Sequence, residues 1–509
     1  MATNDIHYSK AEHGSALECS HFEERKGLLS EDYNEKPEPD TQPNVWSSQK
    51  VAAVAVTLIC ILLSGAVVRT LLIAQPLHPN LLFHRGVLRS NGTHDFRRTV
   101  LLVSIDGLRA DYLDRGLTPH LLEISKQGLR AKSMRPVFPT LTFPNHWALM
   151  TGLHAESHGI VGNNFWDPVS DTEFHYNKAD TVYLSHWWKG EPMWETAKKA
   201  GLLTANLMWP GPLETASGAS PTYMIPWRQP VSLDAKLDQI FQWIDLPLEE
   251  RPQLITAYEP TLDQAGHKYG PMSAQVNATL ETVDVFAKHL HTQLQVRNLT
   301  DIVDVVFVSD HGMVDTSDYT LVNIDEILGE DGMEAIEHED GWPAMGIRFR
   351  EGTNETMYQE KLYQASEKNP GQFEVFTRET MPGRWHFSNN ERISPLYIVP
   401  KVNHVLTTKK EGNKHMTKGN HGFDNTEVAM QAIFVAHGPF SAVTKSLHQS
   451  KRRGFLDLAI NGWHSTSDNT YVMDTFANVE IYGLVTKLLG IEDFAANHNG
   501  TVGFWDKYF

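Results

Sequence analysis

Residues 51–68, VAAVAVTLICILLSGAVV, form an unbroken run of 18 uncharged, mostly apolar residues. Arg69 interrupts it, and Leu71-Leu72-Ile73-Ala74 extend it. As a helix this run spans about 30 Å of hydrocarbon, with Arg69 snorkelling to the interface. A buried core helix would carry a polar stripe, and this one has none. We read 51–74 as a transmembrane signal-anchor. A cleaved signal peptide starts near its own N-terminus, and here 50 residues come first. Those residues, 1–50, are acidic, hold Pro37, Pro39 and Pro43, and read as a disordered cytoplasmic tail. Residues 75–98 are aperiodic and contain Pro, Arg and His, which reads as a stalk.

From residue 99 onward, apolar runs alternate with amphipathic stretches. Val100 to Ile105 is a β-branched and apolar run ending in Asp106-Gly107, as in a buried parallel strand. Thr118-Pro119 opens a helix that Gly128 closes. Glu191-Pro192 opens another, ended by Gly201. Further strands are expected at Leu202–Met208, Gln253–Tyr258, Ile302–Ser309 and Gln431–Ala436, with a last amphipathic helix over Asn478–Leu489. This alternation predicts an α/β domain over 99–509: a mostly parallel sheet with helices on both faces. Residues from about 343 to 412 break the rhythm and are read as a small α+β insert.

Composition narrows the picture. With 44 basic and 62 acidic side chains the net charge is −18, which argues against general duplex nucleic-acid binding. The only two cysteines are Cys19 in the tail and Cys60 in the span, so neither a disulfide scaffold nor a thiolate metal site is available to the outer domain. The 25 histidines leave room for a metal site of imidazole and carboxylate. Lys and Arg do not decide the orientation of the span. The sequons Asn91-Gly-Thr, Asn277-Ala-Thr, Asn298-Leu-Thr, Asn354-Glu-Thr and Asn499-Gly-Thr all follow it, and none precedes it. They favour a single-pass type II glycoprotein with a lumenal or extracellular domain, on the cell surface or in a vacuole-like compartment.

Polar residues collect at strand ends. Asp106, Asp310 and His311 lie just past apolar strands, where ligands bind in open α/β sheets. Asp263 and His267, spaced by four, share one helical face after the third strand. His421 sits in a glycine-flanked loop, Gly419-Asn420-His421-Gly422. Each alone has a plainer reading as a turn residue or a satisfied pair. Together, three Asp and three His suit two zinc ions. Thr142, in Pro139-Thr-Leu-Thr-Phe-Pro-Asn-His146, falls at a helix N-terminus, which favours a bound phosphoryl group. An ordinary Thr N-cap fits that position equally well.

These stretches resemble the ectonucleotide pyrophosphatase/phosphodiesterase family of the alkaline phosphatase superfamily. The resemblance rests on LLVSIDGLRADYL (101–113), MRPVFPTLTFPNHWALMTGLHAESHGIVGNNFWDP (134–168), GEPMWETA (190–197), YEPTLDQAGHKYGP (258–271), VSDHGM (308–313), NHGFDN (420–425) and NVEIYGLVTKLLG (478–490). The layout is similar to the short fungal members, with no Cys-rich module between span and domain. The resemblance implies hydrolysis of nucleotide phosphodiester and pyrophosphate bonds to nucleoside monophosphates, within nucleotide metabolism. It implies one zinc held by Asp263, His267 and His421, and a second held by Asp106, Thr142, Asp310 and His311. Thr142 would be the nucleophile, activated by the metal and forming a nucleotidyl-threonine. Asn163 would donate to a phosphoryl oxygen. Phe143 would stack on the base, opposite Tyr223 or Trp227. Leu141 stands where a vertebrate nucleotide-hydrolysing member has Lys, which weakens the expectation of a triphosphate preference. Two rival readings are the same chemistry on a choline-bearing lipid and a catalytically inactive membrane glycoprotein.

Overall fold

The computed structural model describes residues 47–73, 83, 86–414, 416–452, 463–465 and 471–509. It divides into two units, residues 1–75 and 76–509. The tail up to residue 46 lies outside the described residues.

In the first unit, α1 (Ser48–Ile73) is a 26-residue helix. At 1.5 Å per residue it is about 39 Å long, more than a hydrocarbon core requires. Its 18-residue apolar window, Ser48–Gly65, has none of its residues buried. A soluble core helix of this composition would be covered by protein. This one suits a signal anchor.

In the second unit, nine strands form the main sheet among the described residues. In chain order they are β1 (Thr99–Ile105), β2 (Leu129–Ala131), β3 (Thr204–Leu207), β4 (Tyr223–Ile225), β5 (Leu254–Glu259), β6 (Val303–Val308), β7 (Phe434–His437), β8 (Trp463–Ser465) and β9 (Tyr471–Met473). Their order across the sheet is β8-β9-β2-β7-β6-β1-β5-β3-β4. The five strands β6, β1, β5, β3 and β4 run parallel. The strand read over Gln431–Ala436 is β7, and it runs antiparallel to both β6 and β2.

Side-chain alternation explains why these runs are apolar throughout. Val100 and Leu102 enter one core with Trp147 and Leu149, while Leu101, Val103 and Ile105 enter another with Ile240 and Leu290. A strand covered on both faces has no polar side to display. Buried polar residues interrupt the pattern, and two of them stand side by side. Ser104 and Tyr258 are buried register partners, one on β1 and one on β5. By alternation both face the first of these cores.

Two boundaries differ from the sequence reading. The stalk read over 75–98 is partly domain. Arg89–Ser90 and Asp95–Phe96 pair as a hairpin. Arg251 donates to Asp95 O at 2.8 Å and sits 3.8 Å over the Phe96 ring. Phe83 is buried beside Arg98 and Phe509. Strands of two residues have no period to detect. The insert read over 343–412 begins near 320. Its four-stranded antiparallel sheet includes Ile336–Asp340, and its core includes Val322, Ile324 and Leu328. Only one side of that edge strand, Ile-Glu-His-Glu-Asp, is covered, so its residues carry little apolar signal.

His437, at the end of β7, meets His291 edge-on at 4.5 Å. Burial, then His291 and Lys445, push the His437 imidazole down to about 4. In the unfolded chain it would titrate near 6.5. The unfolded state therefore binds more protons between those values, and stability falls as pH drops through that window. The domain is expected to lose melting temperature from pH 6.5 to 4, and His437→Gln is expected to flatten the loss. Differential scanning calorimetry at stepped pH checks it.

Candidate active site

Because β6, β1 and β5 are parallel neighbours, their carboxyl ends lie side by side. Asp106 follows β1, and Asp310 and His311 follow β6. The helix α2 (Thr261–Tyr269) follows β5 and carries Asp263 and His267. His421 comes from further along the chain. Gly419–Asn420 pairs with Val314–Asp315, just beyond His311, and this short ladder delivers the histidine.

Thr142 opens the helix α3 (Thr142–Thr151). The loop before it is fastened from both sides. The buried Asn145 side chain accepts from Val137 N and donates to Pro139 O and Leu141 O. Thr140 Oγ1 donates to Phe423 O and accepts from Gly422 N. Leu141 is buried against Gly422, where an added Cβ would lie 2.9 Å from its Cδ2. Gly422 also has φ of +103°, so both space and backbone call for glycine. His146 Nδ1 lies 2.9 Å from Thr142 O, and its Nε2 lies 2.8 Å from Ser104 Oγ. The first turn of α3 is thus tied to the central strand.

The ligand-type atoms form two groups. Asp263, His267 and His421 make one, and Asp106, Asp310 and His311 the other. Within each, the ligand atoms lie within 4.8 Å of one another. The His311 and His421 rings stack at 3.6 Å, so the groups adjoin. Thr142 Oγ1 is 3.2 Å from His311 Nε2.

The histidine orientations are informative. Nδ1 of His267, His311 and His421 faces Gly419 O, Gly312 O and Thr140 O respectively, each at 2.9 Å. A carbonyl only accepts, so each Nδ1 carries a proton, and in the neutral ring the Nε2 lone pair faces the cluster. Burial disfavours the charged form of His311, but the Asp310 carboxylate outweighs it and raises that imidazole. Yet His267 Nε2 and His421 Nε2 are 3.0 Å apart. Two lone pairs at that distance repel unless a cation lies between them. Asp106 Oδ1, Asp263 Oδ1 and Asp310 Oδ2 are buried with no hydrogen-bond partner. Buried orphan oxygens are rare in folded proteins and mark a missing ion or water. The donor set, imidazole nitrogen with carboxylate oxygen and no sulfur, fits zinc.

Electrostatics agree. Burial, then Asp310 and Asp263, raise the Asp106 carboxyl well above the usual range. Burial, then His311 and His267, hold His421 well below its ordinary value. Burial would also raise Asp310, but His311 and His146 outweigh it and hold that carboxyl low. Like groups pressed together this way create a field that a multivalent cation relieves.

Asn163 Oδ1 accepts from Phe143 N at 3.0 Å, which orients the amide so that Nδ2 is the remaining donor. Phe143 is partly buried, with Tyr176 and Phe174 edge-on at 5.6 and 6.0 Å. Trp227 is 48% exposed. Tyr223 lies elsewhere. Its hydroxyl donates to Glu250 O and its ring lies 6.3 Å from Trp243. Glu250 precedes β5, at the amino edge of the sheet, whereas the site lies at the carboxyl edge. The pairing of Tyr223 with Phe143 is corrected accordingly. Tyr176, 44% exposed, is the aromatic neighbour the sequence reading missed. It stands just after a short hairpin, Asn164–Asp167 with Thr172–His175, that has no marked period.

Of the sequons, Asn354 caps the helix Glu355–Lys368 and Asn499 Oδ1 accepts from His154 N. Asn277 Oδ1 accepts from Arg115. Asn91 Nδ2 donates to Arg297 O, and Asn298 Nδ2 donates to Asn91 O.

Residues 100–424 match the family described as type I phosphodiesterase / nucleotide pyrophosphatase. The chain belongs to that family. An uncharacterised pyrophosphatase/phosphodiesterase of Schizosaccharomyces pombe is 34% identical over 465 residues, 90% of this chain and 89% of that one. Human ectonucleotide pyrophosphatase/phosphodiesterase family member 1 is 34% identical over 411 residues, covering 79% of this chain but only 41% of its own length. The chain therefore matches less than half of that larger relative. Among solved structures, murine family member 5 superposes with a TM-score of 0.68 at 29% identity, covering 80% of this chain and 98% of that one. An inactive form of the murine protein in complex with AMP superposes with a TM-score of 0.67. This phosphodiesterase has the alkaline-phosphatase-like α/β fold of its relatives and is a hydrolase of the nucleotide pyrophosphatase/phosphodiesterase type.

Proposed function

We propose that the chain is a two-zinc nucleotide pyrophosphatase/phosphodiesterase that releases nucleoside 5′-monophosphates through a covalent nucleotidyl-threonine. One observation carries the reading. Three imidazole Nε2 atoms and three orphan carboxylate oxygens converge beside the hydroxyl of Thr142, at a helix N-terminus. Asp263, His267 and His421 would hold one ion. Asp106, Asp310 and His311, with Thr142, would hold the other. When bound, such ions neutralise phosphoryl charge and acidify hydroxyls and water.

Thr142 Oγ1 attacks the α-phosphorus in line with the leaving group. The bond from phosphorus to the leaving oxygen breaks, and that oxygen departs with the threonine proton. Water then attacks the same phosphorus from the vacated side. The bond from phosphorus to Thr142 Oγ1 breaks, the water oxygen stays on the nucleotide, and one of the water protons returns to Thr142 Oγ1. Asn163 Nδ2 donates to a non-bridging oxygen throughout. The α3 dipole adds a partial positive charge at the same end. Phe143, Tyr176 and Trp227 supply apolar surface for a base.

The AMP complex of the murine relative supports a nucleotide ligand. The sequons, all beyond the apolar helix, support a type II glycoprotein with this domain lumenal or extracellular. An inactive relative would have lost ligands, and every one is present.

A substrate panel tests the reading. The purified chain is offered a nucleoside triphosphate, a dinucleotide, a nucleotide sugar and lysophosphatidylcholine, with and without chelator. Chelator-sensitive release of nucleoside monophosphate is the expected result. Release of phosphocholine alone would overturn the nucleotide reading. Within that panel, Phe143→Ala is expected to raise KM for nucleotides about 5- to 150-fold, as lost base stacking of about 1–3 kcal/mol requires. A chromogenic phosphodiester without a base should show little change. Equal effects on both would remove Phe143 from the base slot.

A further inference from the structure

The geometry points to Tyr258 as a positioning residue that makes Asp106 a one-oxygen ligand and so tunes one of the two metal sites. The inference rests on the two-zinc reading above.

Tyr258 is the fifth residue of β5 and faces the same side of the sheet as its register partner Ser104. It is buried, and its hydroxyl donates to Asp106 Oδ2 at 2.5 Å. Asp106 N donates to Glu259 O, so backbone and side chain of the aspartate are both held from β5. The other oxygen, Asp106 Oδ1, has no hydrogen-bond partner and lies 3.5 Å from His311 Nε2. Asp310 repeats the arrangement. Gly107 N donates to its Oδ1 at 3.2 Å, and Oδ2 has no hydrogen-bond partner. Each carboxylate therefore has one oxygen committed to the protein and one turned to the site.

This asymmetry matters for metal choice. A carboxylate with both oxygens open can chelate, which suits large ions with six to eight oxygen ligands. A carboxylate with one oxygen already hydrogen-bonded offers a single atom, which suits a four-coordinate ion with short bonds. Outer hydrogen bonds of this kind also fix ligand orientation, and their loss weakens metal binding about 10- to 100-fold. Gly107 donates through its backbone, so the Asp310 contact survives side-chain substitution. The Asp106 contact depends on one hydroxyl. The Tyr258 ring also packs edge-on against His146 at 4.9 Å, and phenylalanine would keep that packing.

The test is Tyr258→Phe in the full chain, solubilised in detergent. Zinc is titrated against a competing chelator, and the melting temperature of the zinc-free protein is measured alongside. One zinc equivalent is expected to weaken about 10- to 100-fold. The other equivalent, at Asp263, His267 and His421, should be unchanged, and the zinc-free protein should still unfold in one transition, lowered only by the loss of one buried hydrogen bond. Two equivalents of wild-type affinity would overturn the inference. So would weakening of both equivalents together, or loss of the zinc-free unfolding transition, since either indicates a packing role. A wild-type chain that takes up no zinc would overturn the metal reading, and this inference with it.

Discussion

Thr142→Ala is expected to lower the rate of hydrolysis of a nucleoside monophosphate ester by at least about 10³-fold, with fold and zinc content near wild type. The size follows from the role. A nucleophile has no substitute within reach, and only residual binding and electrostatic effects remain after its loss. The mildness for the fold follows from geometry. Thr142 takes part in structure through its backbone, since its carbonyl oxygen is met by His146 Nδ1. The loop before it is held by Asn145 and Thr140. The hydroxyl itself meets only the site, at His311 Nε2. Binding should survive because Phe143 and Asn163 are untouched, so kcat should fall far more than KM rises. Thr142→Ser keeps an attacking oxygen and should recover part of the rate. Full activity in the alanine variant would sink the nucleophile assignment.

How far the sequence reveals this site depends on what each residue had to signal. Asp106, Asp310 and His311 stand directly after apolar runs, where the eye falls, and β1 and β6 lie where those runs put them. Asp263 and His267 show by spacing alone. His421 had only its glycines, and what seats it is a two-residue ladder with no period. The outer layer was harder to read. Tyr258, Ser104 and His146 are polar groups inside apolar segments. One-letter patterning counts them as tolerated exceptions, and only the fold reveals that Tyr258 holds Asp106 while Ser104 and His146 link in turn to the Thr142 carbonyl. Tyr223 shows the opposite error. An aromatic in a loosely aligned stretch looked available, but alternation on β4 sends it to Trp243 and Glu250.

His421→Ala is expected to remove one zinc equivalent, to lower the rate at least about 10²-fold, and to reduce the stabilisation that zinc confers. His421 has no other evident task at its ε edge. Nε2 faces His267 Nε2 at 3.0 Å and Asp263 Oδ1 at 3.5 Å, and nothing there can donate a proton to it. Without a cation, the first contact pairs two lone pairs and leaves Asp263 Oδ1 unsatisfied. With one, all three become ligands. The wild-type chain should therefore lose melting temperature on chelation, because crowded, unscreened donors are left in a buried site. The alanine variant, with one repulsive partner removed, should lose less. Zinc stoichiometry, turnover and the chelator-induced shift in melting temperature together decide the matter. Unchanged stoichiometry and rate would take His421 out of the site. A chelator shift as large as that of the wild type would mean that the repulsion between His267 and His421 is relieved by something other than a metal.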